Sequence, residues 1–284
     1  EIAQCLVGSE MCIRDRCITM TYGFIGTGNM GGALARALVR EVSPLDVYLN
    51  NRTPAKAEAL AAELGARADT AAHIAAACDY IFLGVKPNLI AGVLAQLAPT
   101  LAQRTDKPVL VSMAAGVTIA ALEQAAPGCP ILRIMPNTAC AVGAGLTLYD
   151  ANALLTKPQL DAFLADMAAS GRLEALPEHL IDAGSAVAGC GGAFACLFME
   201  GLADGAVTCG LPRDKANTFA AQMLLGAARL ALESGKPFGQ MKDEICSPGG
   251  TTIAGVRALE EGGLRAAAMN AVIAAYEKTL QLKK

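Results

Sequence analysis

From Thr21 onward the chain alternates short apolar runs with longer amphipathic stretches. Thr21 to Ile25 reads as a buried strand, followed by a glycine-rich turn and a helix from Asn29 to about Arg40. Asp46 to Asn50 reads as the next strand, and Pro54 opens a helix that ends near Gly65. Tyr80 to Val85, Val109 to Met113 and Ile131 to Met135 continue the series of short apolar runs. Apolar runs separated by helical segments call for a Rossmann-type doubly wound parallel sheet with helices on both faces.

The pattern changes after about Leu176. From His179 onward no strand is evident, only long Ala-, Leu- and Met-rich stretches separated at Gly210-Leu211-Pro212, Gly235-Lys236-Pro237 and Gly262-Gly263. Helices this apolar all round must be buried on most faces. Either a second subunit covers the surplus, or an Ala-rich bundle packs on its own first domain. The expected organisation is therefore a dinucleotide-binding domain over residues 20–176 and an all-helical C-terminal domain over 177–284, with residues 1–19 set apart. Those nineteen residues carry three cysteines and the charged knot Arg14-Asp15-Arg16 without periodicity. They lack the basic start and long apolar run of a signal peptide, and Met20 stands directly before the first strand. The segment reads as a non-native or disordered extension.

Composition narrows the class. Of 284 residues, 54% are hydrophobic and 17% charged, which supplies a core and argues against disorder. A net charge of −3 does not suit nucleic acid or an anionic membrane as main partner. The apolar stretches are interrupted within a bilayer-spanning length, so no transmembrane helix is expected. Ten cysteines occur with no Cys-x-x-Cys, and the two histidines, His73 and His179, lie far from any cysteine pair. No metal site is expected, and scattered thiols among apolar neighbours suit a reducing, cytoplasmic setting.

Candidate chemistry sits at both ends. Gly26-Thr27-Gly28-Asn29-Met30-Gly31 follows a strand and opens a helix, the context that distinguishes a dinucleotide-binding loop from a chance glycine-rich turn. Gly26 permits the turn, Gly28 lets the backbone approach a pyrophosphate, and Gly31 lets helix and strand pack closely. At the end of the second strand, where an NAD site carries a carboxylate, stand Asn51, Arg52 and Thr53. A planar cation with two neutral donors suits a 2′-phosphate, so NADPH is the expected cofactor, with NADH possible; Arg52 as a surface residue capping the next helix is the alternative. Val85, Lys86 and Pro87 close one strand and Ala114 and Ala115 follow another, at the edge where such sheets bind ligands; each could equally be a strand-ending turn.

Near the C-terminus runs Cys246-Ser247-Pro248-Gly249-Gly250-Thr251-Thr252. Bare amides at a helix start make a seat for a carboxylate, and hydroxyls beside it can bond the anion's parent molecule. The alternative is an ordinary turn with a threonine helix cap. Neither a Ser-His-Asp order nor a strong general base is visible. That absence favours reduction of a cyclic imine, whose protonated C=N accepts hydride once the substrate is placed.

These motifs, with Val85-Lys86-Pro87, Arg133-Ile134-Met135-Pro136-Asn137-Thr138, Leu202-Ala203-Asp204-Gly205, Gly210-Leu211-Pro212-Arg213 and Lys242-Asp243, resemble the pyrroline-5-carboxylate reductase family from Met20 to about Leu280. The resemblance implies NAD(P)H-dependent reduction of 1-pyrroline-5-carboxylate to L-proline, a C-terminal helical dimerisation domain, and a homodimer or larger ring. It also implies Thr252 at the ring nitrogen, Ser247 with the 249–251 backbone (Gly249, Gly250, Thr251) at the carboxylate, Lys86 and Pro87 along the cofactor, and the nicotinamide near Ala114 and Ala115. Glu178 is a further substrate-contact candidate. One departure is Ala188-Gly189-Cys190-Gly191-Gly192-Ala193-Phe194, where the family commonly carries Ser-Gly-Ser-Gly-Pro-Ala-Tyr. It keeps two other readings open: a related imine or hydroxyacid dehydrogenase, and a silent dinucleotide-binding regulator.

Overall fold

The computed structural model describes residues 20–282; the extension expected over 1–19 lies outside them. The described chain divides into two compact units, residues 20–182 and Ala183–Leu282.

The first unit is an eight-stranded sheet. In chain order the strands are β1 (Tyr22–Ile25), β2 (Val47–Asn50), β3 (Arg67–Ala68), β4 (Tyr80–Leu83), β5 (Val109–Ser112), β6 (Ile131–Met135), β7 (Gly145–Ala151) and β8 (Gly171–Ala175). Their spatial order is β3-β2-β1-β4-β5-β6-β7-β8. The strands pair in parallel except β6 with β7, where Arg133 faces Asp150 in antiparallel register. The expected doubly wound parallel sheet is present, with β6–β7 as its one antiparallel pair among the described residues. β7 can reverse direction because only a short 3₁₀ turn (Thr138–Val142) joins it to β6, whereas a parallel return needs a crossover of a dozen or more residues.

Each face of the sheet has its own apolar layer. On one side Tyr22, Phe24, Phe82, Val111 and Ile134 meet α1 (Asn29–Leu38), α2 (Pro54–Leu64) and α6 (Lys157–Asp166) through Leu34, Leu60 and Phe163. Phe24 and Phe82 stack with ring centres 4.3 Å apart. On the other side Ile81, Leu83, Leu110 and Ile131 meet α3 (Ala71–Ala77), α4 (Ile90–Gln103) and α5 (Ile119–Ala125) through Ile74, Leu94, Leu97 and Leu122. Strands buried on both faces explain the unbroken apolar runs in the sequence.

The helix α7 (Glu178–Ala188) crosses the division between the units. The division falls after Asp182 rather than after Leu176, because the first turns of α7 are tied to the sheet by charge, as described below. The second unit is helical throughout: the rest of α7, then α8 (Gly191–Thr208), α9 (Arg213–Ser234), α10 (Phe238–Ile245), α11 (Thr251–Glu261) and α12 (Leu264–Leu282). Its buried cluster is small, Ala203, Ala216 and Ala220 between α8 and α9. Large apolar side chains stand in the open, among them Leu197 at 70%, Leu232 at 73% and Phe238 at 80% exposure. The stretch Glu178–Thr208 is long and apolar enough to cross a membrane by length and composition alone, contrary to the sequence expectation.

Candidate functional site

The dinucleotide loop starts where β1 ends. Gly26 adopts φ +102°, a conformation that side chains disfavour, and a Cβ there would lie 2.6 Å from the Gly84 backbone. Its amide donates to the Asn50 carbonyl at 2.9 Å, so the ends of β1, β2 and β4 converge on one turn. A Cβ at Gly31 would fall 2.3 Å from the Gly26 carbonyl oxygen, whereas one at Gly28 would meet nothing within 4 Å. Gly31 is therefore required for packing, and Gly28 leaves an open approach. Gly28 is also the N-cap of α1, with no side chain on its bare amides. These features fit a pyrophosphate seated on the α1 N-terminus at the point where strand order reverses between β1 and β4.

Around that turn the predicted residues divide. Asn51 donates through Nδ2 to Thr27 Oγ1 at 3.0 Å and accepts the Thr53 amide at 3.1 Å, so it braces the loop. Thr27, Gly28, Asn29 and Asn51 line a cavity of about 400 Å³ together with Arg36, Lys56 and Glu63. Arg52 is exposed and is not among the lining residues. Thr53 is the N-cap of α2 but no side chain caps that end, so Arg52 does not act as a cap. Met30 belongs to the first turn of α1. Val85 is half-buried, Lys86 and Pro87 are exposed just beyond β4, and past β5 Ala114 is buried while Ala115 is exposed.

A second cluster escaped the sequence reading. Arg133, on β6, is 1% exposed. Its Nη1 donates to Glu178 Oε1 at 2.9 Å and its Nη2 to Asp182 Oδ1 at 3.3 Å, while its Nε is buried without a protein partner. Glu178 Oε1 also accepts the Ile119 amide at 2.7 Å, and the Glu178 amide donates to Asp150 Oδ2 at 2.6 Å. Glu178, expected at the substrate, thus has its carboxylate engaged between β6 and α5. Two acidic residues four apart on one helix face could have flagged a partner for this arginine. What hides the pairing is that an arginine inside an apolar strand names no partner by itself.

In the second unit the 247–252 turn closes through the Gly250 amide, which donates to the Ser247 carbonyl at 3.0 Å. Gly249 holds φ +67°, and a Cβ on Gly250 would come within 2.4 Å of Ser247 Oγ. The serine hydroxyl therefore lies over Gly250. Gly250 is the N-cap of α11 and no side chain caps it. Thr251 and Thr252 are the first two helical residues rather than caps, and both are exposed. The first intrahelical bond runs from Ala254 to Gly250, leaving the amides of Thr251, Thr252 and Ile253 without an intrahelical acceptor. Phe194, from the departing stretch, lines an apolar cavity of about 720 Å³ with Leu197, Leu259 and Leu264. Leu259 lies two turns along α11 from Thr252.

Fold and site together define a nucleotide-dependent oxidoreductase with a Rossmann sheet and a helical C-terminal unit. A family model described as NADP oxidoreductase, coenzyme F420-dependent, matches residues 21–116, and one described as pyrroline-5-carboxylate reductase dimerisation matches residues 178–282. The chain is 39% identical over 266 residues to the pyrroline-5-carboxylate reductase of Escherichia coli, covering 92% of this chain and 98% of that one. A solved pyrroline-5-carboxylate reductase from Coxiella burnetii superposes with a TM-score of 0.85 at 32% identity, covering 94% of this chain and all of the other. A Plasmodium falciparum pyrroline carboxylate reductase with NADP bound gives 0.81 at 29% identity, covering 93% and 98%. The chain belongs to the pyrroline-5-carboxylate reductase family.

Proposed function

We propose that the protein reduces 1-pyrroline-5-carboxylate to L-proline with NADPH, NADH serving less well, as a cytoplasmic homodimer or larger homo-oligomer. The observation that carries the reading is the uncapped start of α11, where amides and hydroxyls without a hydrogen-bond partner among the described residues meet.

The Ser247 hydroxyl and the amides of Thr251 and Thr252 bind the substrate carboxylate, which is stabilised there by the positive end of the helix. The Gly250 amide, spent on the Ser247 carbonyl, shapes the turn. Gly249 supplies the backbone conformation that the turn requires. The Thr252 hydroxyl accepts the N–H of the protonated imine and fixes the ring's orientation. In the first unit Gly26, Thr27, Gly28, Asn29, Met30 and Gly31 hold the pyrophosphate, and Asn51, Arg52 and Thr53 lie on the ribose side. Val85, Lys86, Pro87, Ala114 and Ala115 border the nicotinamide half. The bound dinucleotide supplies the hydride that adds to the imine carbon. Glu178 acts through Arg133 and the Ile119 amide, positioning the loop before α5. Free thiols at all seven described cysteines favour a reducing compartment. The match to a dimerisation family model supports self-association.

Purified protein should consume NADPH on addition of pyrroline-5-carboxylate, release proline, and run more slowly with NADH. Cofactor binding without any turnover would sink the proposal and favour a silent dinucleotide-binding homologue.

A further inference from the structure

The loop between β5 and α5 carries Ala114 and Ala115, and each of its ends is held by a side chain outside it. The Val117 amide donates to the Ala114 carbonyl at 3.3 Å, and Gly116 takes φ +77°, the left-handed conformation that the third position of such a turn calls for. Exposed Ala115 stands at the corner of this tight turn, so its place is set by the two stems. The front stem leaves Ser112, fully buried on β5, whose Oγ accepts the Ala114 amide at 3.4 Å. The rear stem enters α5 at Ile119. Thr118 Oγ1 caps that helix by accepting the Ala121 amide at 3.2 Å, which leaves the Ile119 amide over. As the first amide of the helix it has no intrahelical acceptor. It donates instead to Glu178 Oε1 at 2.7 Å, its one acceptor among the described residues. The same oxygen accepts Arg133 Nη1 at 2.9 Å, and no hydrogen bond falls on Glu178 Oε2 among the described residues.

We infer that Ser112 and Glu178 are positioning residues for hydride transfer: they pin the two ends of the 113–118 loop, and Glu178 does so as a hydrogen-bond acceptor rather than as a charge. The inference rests on the reading that Ala114 and Ala115 border the nicotinamide half, and deepens it. Two methyl side chains offer no polar bond, so this turn serves as a wall whose only contribution is where it stands. Placement is what hydride transfer needs, and a displacement of about 1 Å can cost about a hundredfold in rate. Arg133, 1% exposed and bonded also to Asp182, fixes the Glu178 carboxylate from the sheet side. A glutamine at position 178 can offer Oε1 to both donors and loses only the charge.

The test begins with amide hydrogen exchange on the full chain, which needs neither cofactor nor turnover. Glu178→Ala should speed exchange at Ile119 about tenfold or more, and Glu178→Gln should keep it slow. In turnover, Glu178→Ala should lower kcat about ten- to a hundredfold. It should also enlarge the isotope effect from NADPH deuterated at the nicotinamide C4, because hydride transfer then limits the rate. Glu178→Gln should restore most of both. Ser112→Ala should act in the same direction by about threefold, in keeping with its longer bond. Asp182→Asn removes charge from the same arginine without touching Ile119, so it should lower the unfolding temperature and leave the isotope effect in place. A cluster that only holds the fold together would lower unfolding temperatures and shift no isotope effect. Equal losses in Glu178→Gln and Glu178→Ala, an enlarged isotope effect in Asp182→Asn, an unchanged kcat in Ser112→Ala, or unaltered Ile119 exchange in Glu178→Ala would each overturn the inference. Wild-type protein that leaves pyrroline-5-carboxylate untouched would refute the proposed reaction, while the exchange result still judges the pin by itself. Wild-type turnover that Glu178→Ala does not impair would do the reverse.

Discussion

The two units are built from similar apolar residues and use them in opposite ways. In the first, Leu34, Phe82 and Phe163 are fully buried between the sheet and its helices. In the second, Leu197, Phe219, Leu232 and Phe238 are mostly exposed, and the buried cluster consists of alanines. Fully burying one leucine or phenylalanine stabilises by roughly 1.5–3 kcal/mol. The first unit gains this many times over within one chain. The second leaves it unrealised, as expected of a surface that closes on another copy. The dimerisation family model covers this region, and the same surplus accounts for the membrane-like composition of Glu178–Thr208.

The largest effects should come from breaking the self-sufficient unit. Arg133→Met leaves Glu178 and Asp182 facing a neutral side chain at a buried site, and should cost about 3–5 kcal/mol in denaturant unfolding. Adding Glu178→Gln and Asp182→Asn to Arg133→Met should recover part of that loss, because the uncompensated charges are gone. No recovery would mean that shape rather than charge holds the cluster. Phe82→Ala should cost a similar 3–5 kcal/mol by opening the aromatic stack. In the second unit the corresponding break is of assembly. Leu197→Asp should shift the protein to monomer in light scattering while the unfolding of the first unit stays in place. A Leu197→Asp protein that remains fully assembled would show that this face is not the interface.

Thr252→Ala sharpens the contrast from the chemical side. It should lower turnover about ten- to a hundredfold, the worth of a positioned polar group, with little change in nucleotide binding, since that hydroxyl belongs to the second unit. Unchanged turnover would remove Thr252 from the mechanism.

How much of this was legible beforehand follows the same division. β1, β4, β5 and β6 are visible as apolar runs because both faces of those strands are buried, and β2 shows through Val47 and Leu49, which alternate with half-buried Tyr48 and Asn50. β3 is two exposed residues, and β8 carries Arg172 and Glu174 on an edge, so neither leaves an apolar trace. β7 mixes Thr147, Tyr149 and Asp150 among its apolar positions and so forms no unbroken apolar run. At the site, Gly26 and Gly31 declare themselves because backbone geometry leaves no other residue there. Arg133 does not, because a cation's role depends on what tertiary packing places beside it.

The mildest probe of the comparison is the chemistry of the thiols. Cys78, Cys129 and Cys140 are buried in the first unit, while Cys190, Cys196 and Cys209 are exposed on the second. Burial pushes the Cys78 thiol up to about 12 from an ordinary 9.0, with Asp79 adding to the shift and Arg104 opposing it. Burial likewise raises Cys129. Thiolate is the reactive form, so at neutral pH an alkylating reagent should leave both untouched in native protein. The sign follows from linkage: the native thiol stays protonated where the unfolded one ionises, so its contribution to stability is intact below about pH 9 and is lost as pH rises toward about 12. The second-unit thiols should label faster as the protein is diluted, if subunit contacts cover them. Labelling of Cys78 before global unfolding would mean that the first unit opens locally and is not the self-contained half. Labelling of Cys190, Cys196 and Cys209 that ignores dilution would place them outside the surface that a second copy covers.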